Sequence, residues 1–236
     1  MRRTLVAGVL GLAGGAALLA SADAAPPPVV PERGVAVVLE PTAGRVYVRP
    51  DGVRRYRRLH RAERLPVGTT VDAQEGGVRL TVARDDDGGT WRAVFSEGKF
   101  TVTQPEQGEP VTTLKLTGPS LRDTCGDATA AGRKRRKRVR RLWGDGHGSF
   151  RTAGHYSAAT VRGTRWLTED RCDGTLTRVA RGTVEVEDFT IPPPAPTPSP
   201  TPPPPAPQAP AVGAPDEATG GRVVEAGGAY VARPGD

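Results

Sequence analysis

The sequence has few of the residues from which reactive centres are built. Its 236 residues include two cysteines, three histidines, one methionine and three tryptophans. Structural zinc needs about four ligands held together, and an isolated Asp145-x-His147 pair is weak evidence for such a site. No G-x-S-x-G nucleophile motif occurs, and Ser96 to Lys99 matches S-x-x-K without its companion K-T-G. We therefore expect a protein that is not an enzyme and that has no metal site and no cofactor.

Long apolar runs are also lacking, except for one at the N-terminus. Arg2 and Arg3 precede an apolar run at residues 5–20, and Ala22-Asp23-Ala24 follows as a small-x-small cleavage site. This pattern predicts a secretory signal peptide over residues 1–24, because the run is short for a membrane span of roughly 20 residues. No cysteine follows it, which argues against lipid attachment. We expect a secreted or cell-envelope protein with no span after cleavage; the alternative is an uncleaved membrane anchor.

The two cysteines, Cys125 and Cys172, form an even pair. In an exported protein such a pair is expected to be oxidised to a disulfide. Closing so long a loop stabilises the folded state by about 4 kcal/mol in the chain-entropy account. The alternative is a pair of free, buried thiols.

Positive charge is concentrated in one segment, RKRRKRVRR at residues 133–141, which we call the basic run. The chain has a formal net charge of +7, so its remaining residues are close to neutral and basicity is a local feature. The run would attract wall teichoic acid, anionic lipid or nucleic acid in a salt-sensitive way. No aromatic residue interrupts it to stack on bases. A solvated loop is the alternative. The candidate polyanion-binding residues are Arg133, Lys134, Arg135, Arg136, Lys137, Arg138, Arg140 and Arg141.

Short runs of alternating apolar and polar residues predict β-strands. Clusters of Gly, Asp and Pro at residues 66–68, 75–77 and 85–89 predict the turns between them. Amphipathic helices are not indicated, so we expect an all-β fold, a sandwich or β-roll of short antiparallel strands. The alternating apolar positions are Val35, Val37, Leu39, Val46, Val48, Val78, Leu80, Val82, Phe100, Val102, Leu114, Leu116, Val184 and Val186.

A weak internal repeat suggests a duplicated β-unit. DGGTWRAVFSEGKFTV at residues 87–102 is similar to DGTLTRVARGTVEV at residues 173–186, and GTTVDA at 68–73 loosely matches GSFRTA at 148–153. Two such units would each cover an apolar face of the other. Coincidence among short β-segments is the alternative.

Composition divides the chain into five parts. After the signal peptide we expect a flexible segment at residues 25–34 and a β domain at 35–190. Residues 191–220 are dense in proline, which lacks the donor for a sheet interior, and predict a disordered, extended spacer. Residues 221–236 predict a C-terminal hairpin that docks on the β domain.

Four ordered motifs resemble the extracytoplasmic FecR domain: FRT at residues 150–152, SAATVRGT at 157–164, DGTLTRV at 173–179 and RGTVEV at 181–186. The form it resembles is the one found in secreted proteins of high-GC Gram-positive bacteria. The resemblance implies an exported, non-enzymatic domain that acts as a binding or structural module at the cell envelope. The family-motif residues are Val161, Arg162, Gly163 and Thr164.

The family motif allows two interpretations. In the first, Arg162 and Thr164 lie on one strand face, with Trp166 beyond them, and form a surface that faces a ligand. The alternative is a structural bulge at Gly163. FecR regulators also carry a cytoplasmic segment ahead of a membrane helix, whereas only residues 1–4 precede the apolar run here. We therefore do not expect sigma-factor regulation, although a membrane-anchored sensory component remains the alternative function if the apolar run is retained.

Overall fold

In the computed structural model, three stretches of the chain are described: residues 29–126, 136–191 and 221–234. They are almost entirely β-structure, which confirms the predicted fold class. A five-residue helix, α1 (Leu121–Cys125), precedes the eighth strand. The strands are β1 (Ala36–Arg49), β2 (Arg57–Arg58), β3 (Glu63–Pro66), β4 (Thr70–Ala83), β5 (Thr90–Ser96), β6 (Lys99–Thr103), β7 (Thr112–Leu116), β8 (Arg138–Ala153), β9 (Ser157–Arg171), β10 (Gly174–Arg181), β11 (Thr183–Asp188), β12 (Arg222–Glu225) and β13 (Ala229–Ala232).

These strands belong to one hydrogen-bonded sheet. Nine follow the order β12-β11-β9-β8-β7-β6-β4-β1-β2; β3 pairs with β1, β5 lies between β4 and β8, and β10 lies between β9 and β13. The pairs are antiparallel except that β7 runs parallel to β8. Four strands are longer than predicted, since β1 and β4 have 14 residues, β8 has 16 and β9 has 15.

The sheet rolls up around a single core. Val37 and Val48 lie near opposite ends of β1, and Val71 and Val82 near opposite ends of β4, yet all four belong to one buried apolar cluster. A straight strand of that length would extend about 45 Å, so the long strands must bend to bring both halves to one core. Within the core, Phe95 lies edge-on or tilted against three other rings at centroid distances of 5.6 to 5.9 Å: Phe100, Phe150 and Trp166.

The bend in β1 and β4 explains a misplaced turn. Residues 75–77, predicted as a turn, lie inside β4. The pairing of β4 with β1 is irregular at this point, with register shifts on both sides of Ala43 to Arg45. A Cβ on Gly76 would lie 2.6 Å from the Ala43 carbonyl oxygen, so a glycine is required where the strands cross closely. The glycines therefore mark a bulge within a strand and not a reversal of the chain.

The strand pairing repeats, as a duplicated unit requires. The C-terminal half of β4 pairs with β5 and its N-terminal half with β6; β9 pairs in the same way with β10 and β11. Val71↔Phe100 and Val78↔Phe95 in the first unit correspond to Val161↔Val184 and Trp166↔Val179 in the second. The match of residues 87–102 with 173–186 thus follows the topology. The match of 68–73 with 148–153 does not, because the former begins β4 whereas the latter ends β8.

The C-terminal strands dock on the domain, but they do not pair with each other as the predicted hairpin would. β12 pairs with β11, and β13 pairs with β10. They repeat the positions of β7 and β8, which pair with β6 and β5. Because β11 and β12 are antiparallel neighbours, residues 189–221 connect two adjacent strands of one sheet. The predicted proline-rich spacer, residues 191–220, falls within that connection, and all of it except Ile191 lies outside the described residues.

The predicted flexible segment at residues 25–34 is partly tied to the domain. Residues 25–28 lie outside the described ranges, but the backbone of Glu32 forms a bridge with Ala36. Gly34 N–H donates to Oε1 of the buried Gln104 at 3.3 Å, and Gln104 Nε2 donates in turn to the Ala83 carbonyl at 2.7 Å. The ordered domain therefore begins near Glu32 and extends through β13.

Candidate functional site

The cysteines are joined as predicted. Cys125, the last residue of α1, and Cys172, which follows β9, form a disulfide with an S–S distance of 2.04 Å and a Cα–Cα distance of 5.4 Å. The Cys172 N–H also donates to the Lys137 carbonyl at 3.0 Å. Cys125, before the segment that joins α1 to β8, and Lys137, at its end, are therefore both bonded to Cys172. This fixes the position at which the basic run enters β8.

The basic run is divided by the structure. Arg136, Lys137 and Arg138 are exposed, and no carboxylate among the described residues forms an ion pair with them. Arg141 forms an ion pair with Glu97 of the β5–β6 turn. The remaining cations, apart from Arg140, lie outside the described residues: Arg133, Lys134 and Arg135.

Arg140 is part of a buried polar network and not of an exposed surface. Its Nε and Nη2 donate to Oδ2 of Asp170 at 2.9 and 2.6 Å, and the Asp170 side chain is fully buried. The other carboxylate oxygen, Oδ1, accepts from the His155 N–H at 2.9 Å and from Thr175 Oγ1 at 2.6 Å. Burial of a carboxylate requires such complete pairing. Arg140 therefore serves the fold, which removes it from the candidate polyanion surface.

The family motif lies at the bend of β9. Val161 pairs with β11, Trp166 pairs with β10, and the residues between them pass from one partner strand to the other. Opposite this point the register of β8 shifts between His147 and Phe150. Arg162 is exposed whereas Thr164 is 2 % exposed, so the two side chains do not share the expected face. This position, equivalent to the bulge in β4, supports the structural interpretation of the motif.

Trp166 fixes the same bend from inside. Its side chain is fully buried, and Nε1 donates to Thr152 Oγ1 at 2.9 Å. Thr152 Oγ1 is also 2.6 Å from Thr168 Oγ1. The indole lies against Gly144 of β8, where a Cβ would come within 2.5 Å of the ring. Gly144 thus makes room for the tryptophan of the neighbouring strand.

The histidines are dispersed. His147 is exposed on β8, and its sequence neighbour Asp145 accepts from Arg181 Nη2 at 2.7 Å. His155 lies edge-on to Tyr156, with ring centroids 4.6 Å apart. Within the described ranges, no group of three or more His, Cys, Asp or Glu side chains is placed to hold a metal ion.

A second basic surface, not predicted from the sequence, lies at residues 49–64. Residues 49–64 contain seven arginines and no lysine, and only two acidic residues accompany them. We call this segment the arginine edge. Its strands β2 and β3 pair antiparallel with β1 along the outer side of the sheet. The net charge of the whole chain does not reveal this segment, because acidic residues elsewhere cancel its positive charge. A count of charged residues in short windows of sequence would have revealed it. Its arginines are Arg49, Arg54, Arg55, Arg57, Arg58, Arg61 and Arg64.

Tyr56 lies within the arginine edge and is held by two cations. Lys99 Nζ lies 4.4 Å from the ring centroid and Arg49 Cζ lies 5.3 Å from it. Partial burial acts to lower the pKa of Lys99, but hydrogen bonds to Tyr56 and to Asp72 outweigh it, so the pKa is raised. The Lys99 ammonium is therefore fully charged at neutral pH beside the ring.

Comparison with protein families, with curated proteins and with solved structures gave no match to this chain. Among the described residues, no helix is both long and apolar enough to cross a membrane.

Proposed function

We propose that the protein is an exported, non-enzymatic β domain of FecR type that acts as a binding or structural module in the cell envelope or outside the cell. The observation that carries this proposal is the Cys125–Cys172 disulfide. Disulfides persist in oxidising compartments and are rare in the cytosol. The sequence pattern of a signal peptide at residues 1–24 supports the same compartment.

The rest of the structure is consistent with a rigid binding scaffold. The disulfide joins α1 to the open end of the β8–β9 hairpin. Near the same end, the Arg140–Asp170 ion pair joins β8 to β9. Binding residues are most effective when a rigid framework positions them. In this proposal the framework presents exposed side chains on its surface, and the family motif maintains the bend of the sheet.

Compartment is tested by following the intact protein in its own cells. Cell-associated and culture fractions should both be probed for the chain, and its N-terminus sequenced. An N-terminus at Ala25 in exported material supports the proposal. A chain that begins at Met1 and remains in the membrane fraction would instead support the sensory, anchored alternative.

A second candidate function is polyanion binding by the basic run, favoured by the exposed Arg136, Lys137 and Arg138 beside the Cys172 anchor. The triple variant R136Q/K137Q/R138Q should elute from an anionic column at lower salt than the wild type. Arg141→Gln, which removes a cation already paired with Glu97, is the matched control and should change elution much less. Equal elution of the triple variant and the wild type would eliminate this function.

A further inference from the structure

We propose that the arginine edge, residues 49–64, is a binding surface for a phosphodiester polymer that carries no bases, of the polyol-phosphate kind. This ligand class rests on the proposed function, because such polymers are met outside the cytosol. The inference that this edge binds a polyanion does not depend on the proposed function, since it follows from the charge and exposure of the arginines.

Two arginines of the segment are paired with carboxylates. Arg57 donates to both carboxylate oxygens of Glu63, at 3.0 and 2.5 Å, and Arg64 pairs with Glu32. The hydrogen bond that Arg57 donates to Glu63 raises the pKa of Arg57, so its guanidinium stays charged. No carboxylate in the described part of the chain forms an ion pair with the other exposed arginines of the segment: Arg54, Arg55, Arg58 and Arg61.

Side-chain chemistry then selects the anion. An arginine guanidinium presents a planar fork of donors that matches phosphate bidentately, whereas lysine is a point charge. Every cation of the arginine edge is an arginine, although the basic run mixes both types. A composition of arginine alone on an exposed edge is the pattern expected for repeated contacts with phosphate oxygens.

The shape of the surface favours a linear ligand. β2 pairs with β1 at Tyr47 and Val48, and β3 pairs with the other half of β1 at Ala36 to Leu39. Of the exposed arginines without an ion pair to a described residue, Arg58 lies in β2, and Arg54, Arg55 and Arg61 lie in the short segments on either side of β2. Because β2 and β3 both pair with β1, these segments follow one outer edge of the sheet. Such a row can contact successive phosphates of an extended chain.

The aromatic residue argues against a nucleic acid. Non-specific binding of single strands relies on aromatic rings that stack on bases. Tyr56, the one residue of Phe, Tyr or Trp type in the segment, is 37 % exposed and has Lys99 and Arg49 over its ring. Two cations thus occupy the Tyr56 ring within the protein, and they add positive charge at the place where a free ring would offer a stacking platform.

A lipid surface is also disfavoured. Cations alone are attracted to an anionic lipid surface, but insertion at a membrane interface also uses an apolar face that enters the headgroup region. Within the arginine edge the exposed aliphatic side chain is Val53, at 46 % exposure. One valine among seven arginines provides charge attraction without an insertion face.

The test compares charge-matched variants of the full mature chain. The edge variant R54Q/R55Q/R58Q/R61Q and the control R92Q/K115Q/R178Q/R233Q each lose four exposed cations. Those of the control are dispersed over β5, β7, β10 and the residue that follows β13. Binding to poly(glycerol phosphate) is measured against salt concentration. The slope of log K against log salt should fall in magnitude by about 3 for the edge variant, since each flexible-strand contact contributes about 0.7; the control should retain the wild-type slope.

Several results would overturn the proposal. One is equal loss of slope in both variants, which would show a response to net charge alone. A second is preferential binding of the wild type to a charge-matched single-stranded DNA or to phosphatidylglycerol vesicles. A third is self-association of the edge variant with polymer binding unchanged, because cations also protect exposed sheet edges from pairing.

If the fourfold variant does not fold, R54Q/R55Q and R58Q/R61Q are measured separately, and each should produce about half of the slope change. Loss of export with polymer binding retained would contradict the proposed function but not this surface.

Discussion

Arg140 donates two hydrogen bonds to a single oxygen of Asp170, although the two residues are 30 positions apart and one of them lies in the most basic segment of the chain. The pair crosses between β8 and β9 next to the Cys125–Cys172 disulfide. A segment that reads as uniformly basic in sequence therefore contributes Arg140 to a structural ion pair with a buried carboxylate, whereas Arg136, Lys137 and Arg138 are exposed.

Substitution of Arg140 should be far more destabilising than substitution of its neighbour. Arg140→Gln leaves the fully buried Asp170 carboxylate without its charged partner, and breaking such a pair costs about 3–5 kcal/mol. Chemical denaturation of the purified protein measures this free energy of unfolding. Arg141→Gln is the control: its partner Glu97 is 44 % exposed, and exposed pairs contribute about 0–1 kcal/mol. Equal costs would contradict the assigned network.

Glycines of the β8–β9 hairpin should differ sharply in their tolerance of a methyl group. Gly144→Ala places a Cβ 2.5 Å from the Trp166 indole, so we expect overpacking of about 1–3 kcal/mol and an altered tryptophan emission spectrum. Gly163→Ala, within the family motif, meets only the His147 ring, with its nearest atom at 3.1 Å. That side chain is exposed and can move.

We therefore expect Gly163→Ala to change the denaturation midpoint little. A large loss of stability in that variant, with Gly144→Ala tolerated, would reverse the roles assigned to the two glycines.

The contact that fastens β13 should depend on pH. Tyr230 Oη donates to Asp188 Oδ2 at 2.5 Å. Partial burial acts to raise the pKa of Asp188, but hydrogen bonds from Thr190 and Tyr230 and the charge of Arg222 outweigh it and lower the pKa. A carboxylate with a depressed pKa stabilises the folded state above its unfolded pKa, and this contribution is lost as pH falls through the folded value.

Burial and the hydrogen bond to Asp188 raise the pKa of Tyr230, so its contribution is lost at strongly alkaline pH. The stability difference between the wild type and Tyr230→Phe should therefore be largest between about pH 5 and 9 and should shrink toward both extremes. Denaturation midpoints across pH measure it. A difference that is constant from acid to alkaline pH would contradict the contact.

The disulfide should contribute a large part of the stability. The double variant C125S/C172S should unfold about 4 kcal/mol more easily, or somewhat less, in the chain-entropy account for the 47-residue separation. Reductant should lower the melting temperature of the wild type and leave that of the double variant unchanged. Identical responses to reductant would mean that the bridge is not formed in solution.

Several features of the fold could be predicted from sequence because they are local. Alternation at Val78, Leu80 and Val82 identified β4, and the similarity of residues 87–102 to 173–186 identified equivalent strand pairs. The glycines at residues 76 and 77 were misread, because glycine marks both chain reversals and bulges, and only the partner strand β1 decides between them. The partner of Arg140 could not be predicted for the same reason, since it lies on another strand.

The two proposed binding surfaces show a different limit of prediction from sequence. The basic run is prominent because its charges are consecutive, whereas the arginine edge is interrupted by Tyr56, Leu59 and His60 and disappears in the net charge. Its exposure follows from the pairing of β2 and β3 with β1, which alternation in such short strands does not reveal.

Intact mass of the exported chain, measured with and without reductant, tests the central claim most directly. We predict the mass of a chain that starts at Ala25. This mass should rise by about 2 Da on reduction, because two hydrogens are restored to the paired sulfurs. A chain recovered from the cytosol with its N-terminal segment intact and an unchanged mass on reduction would contradict an exported, disulfide-closed β scaffold.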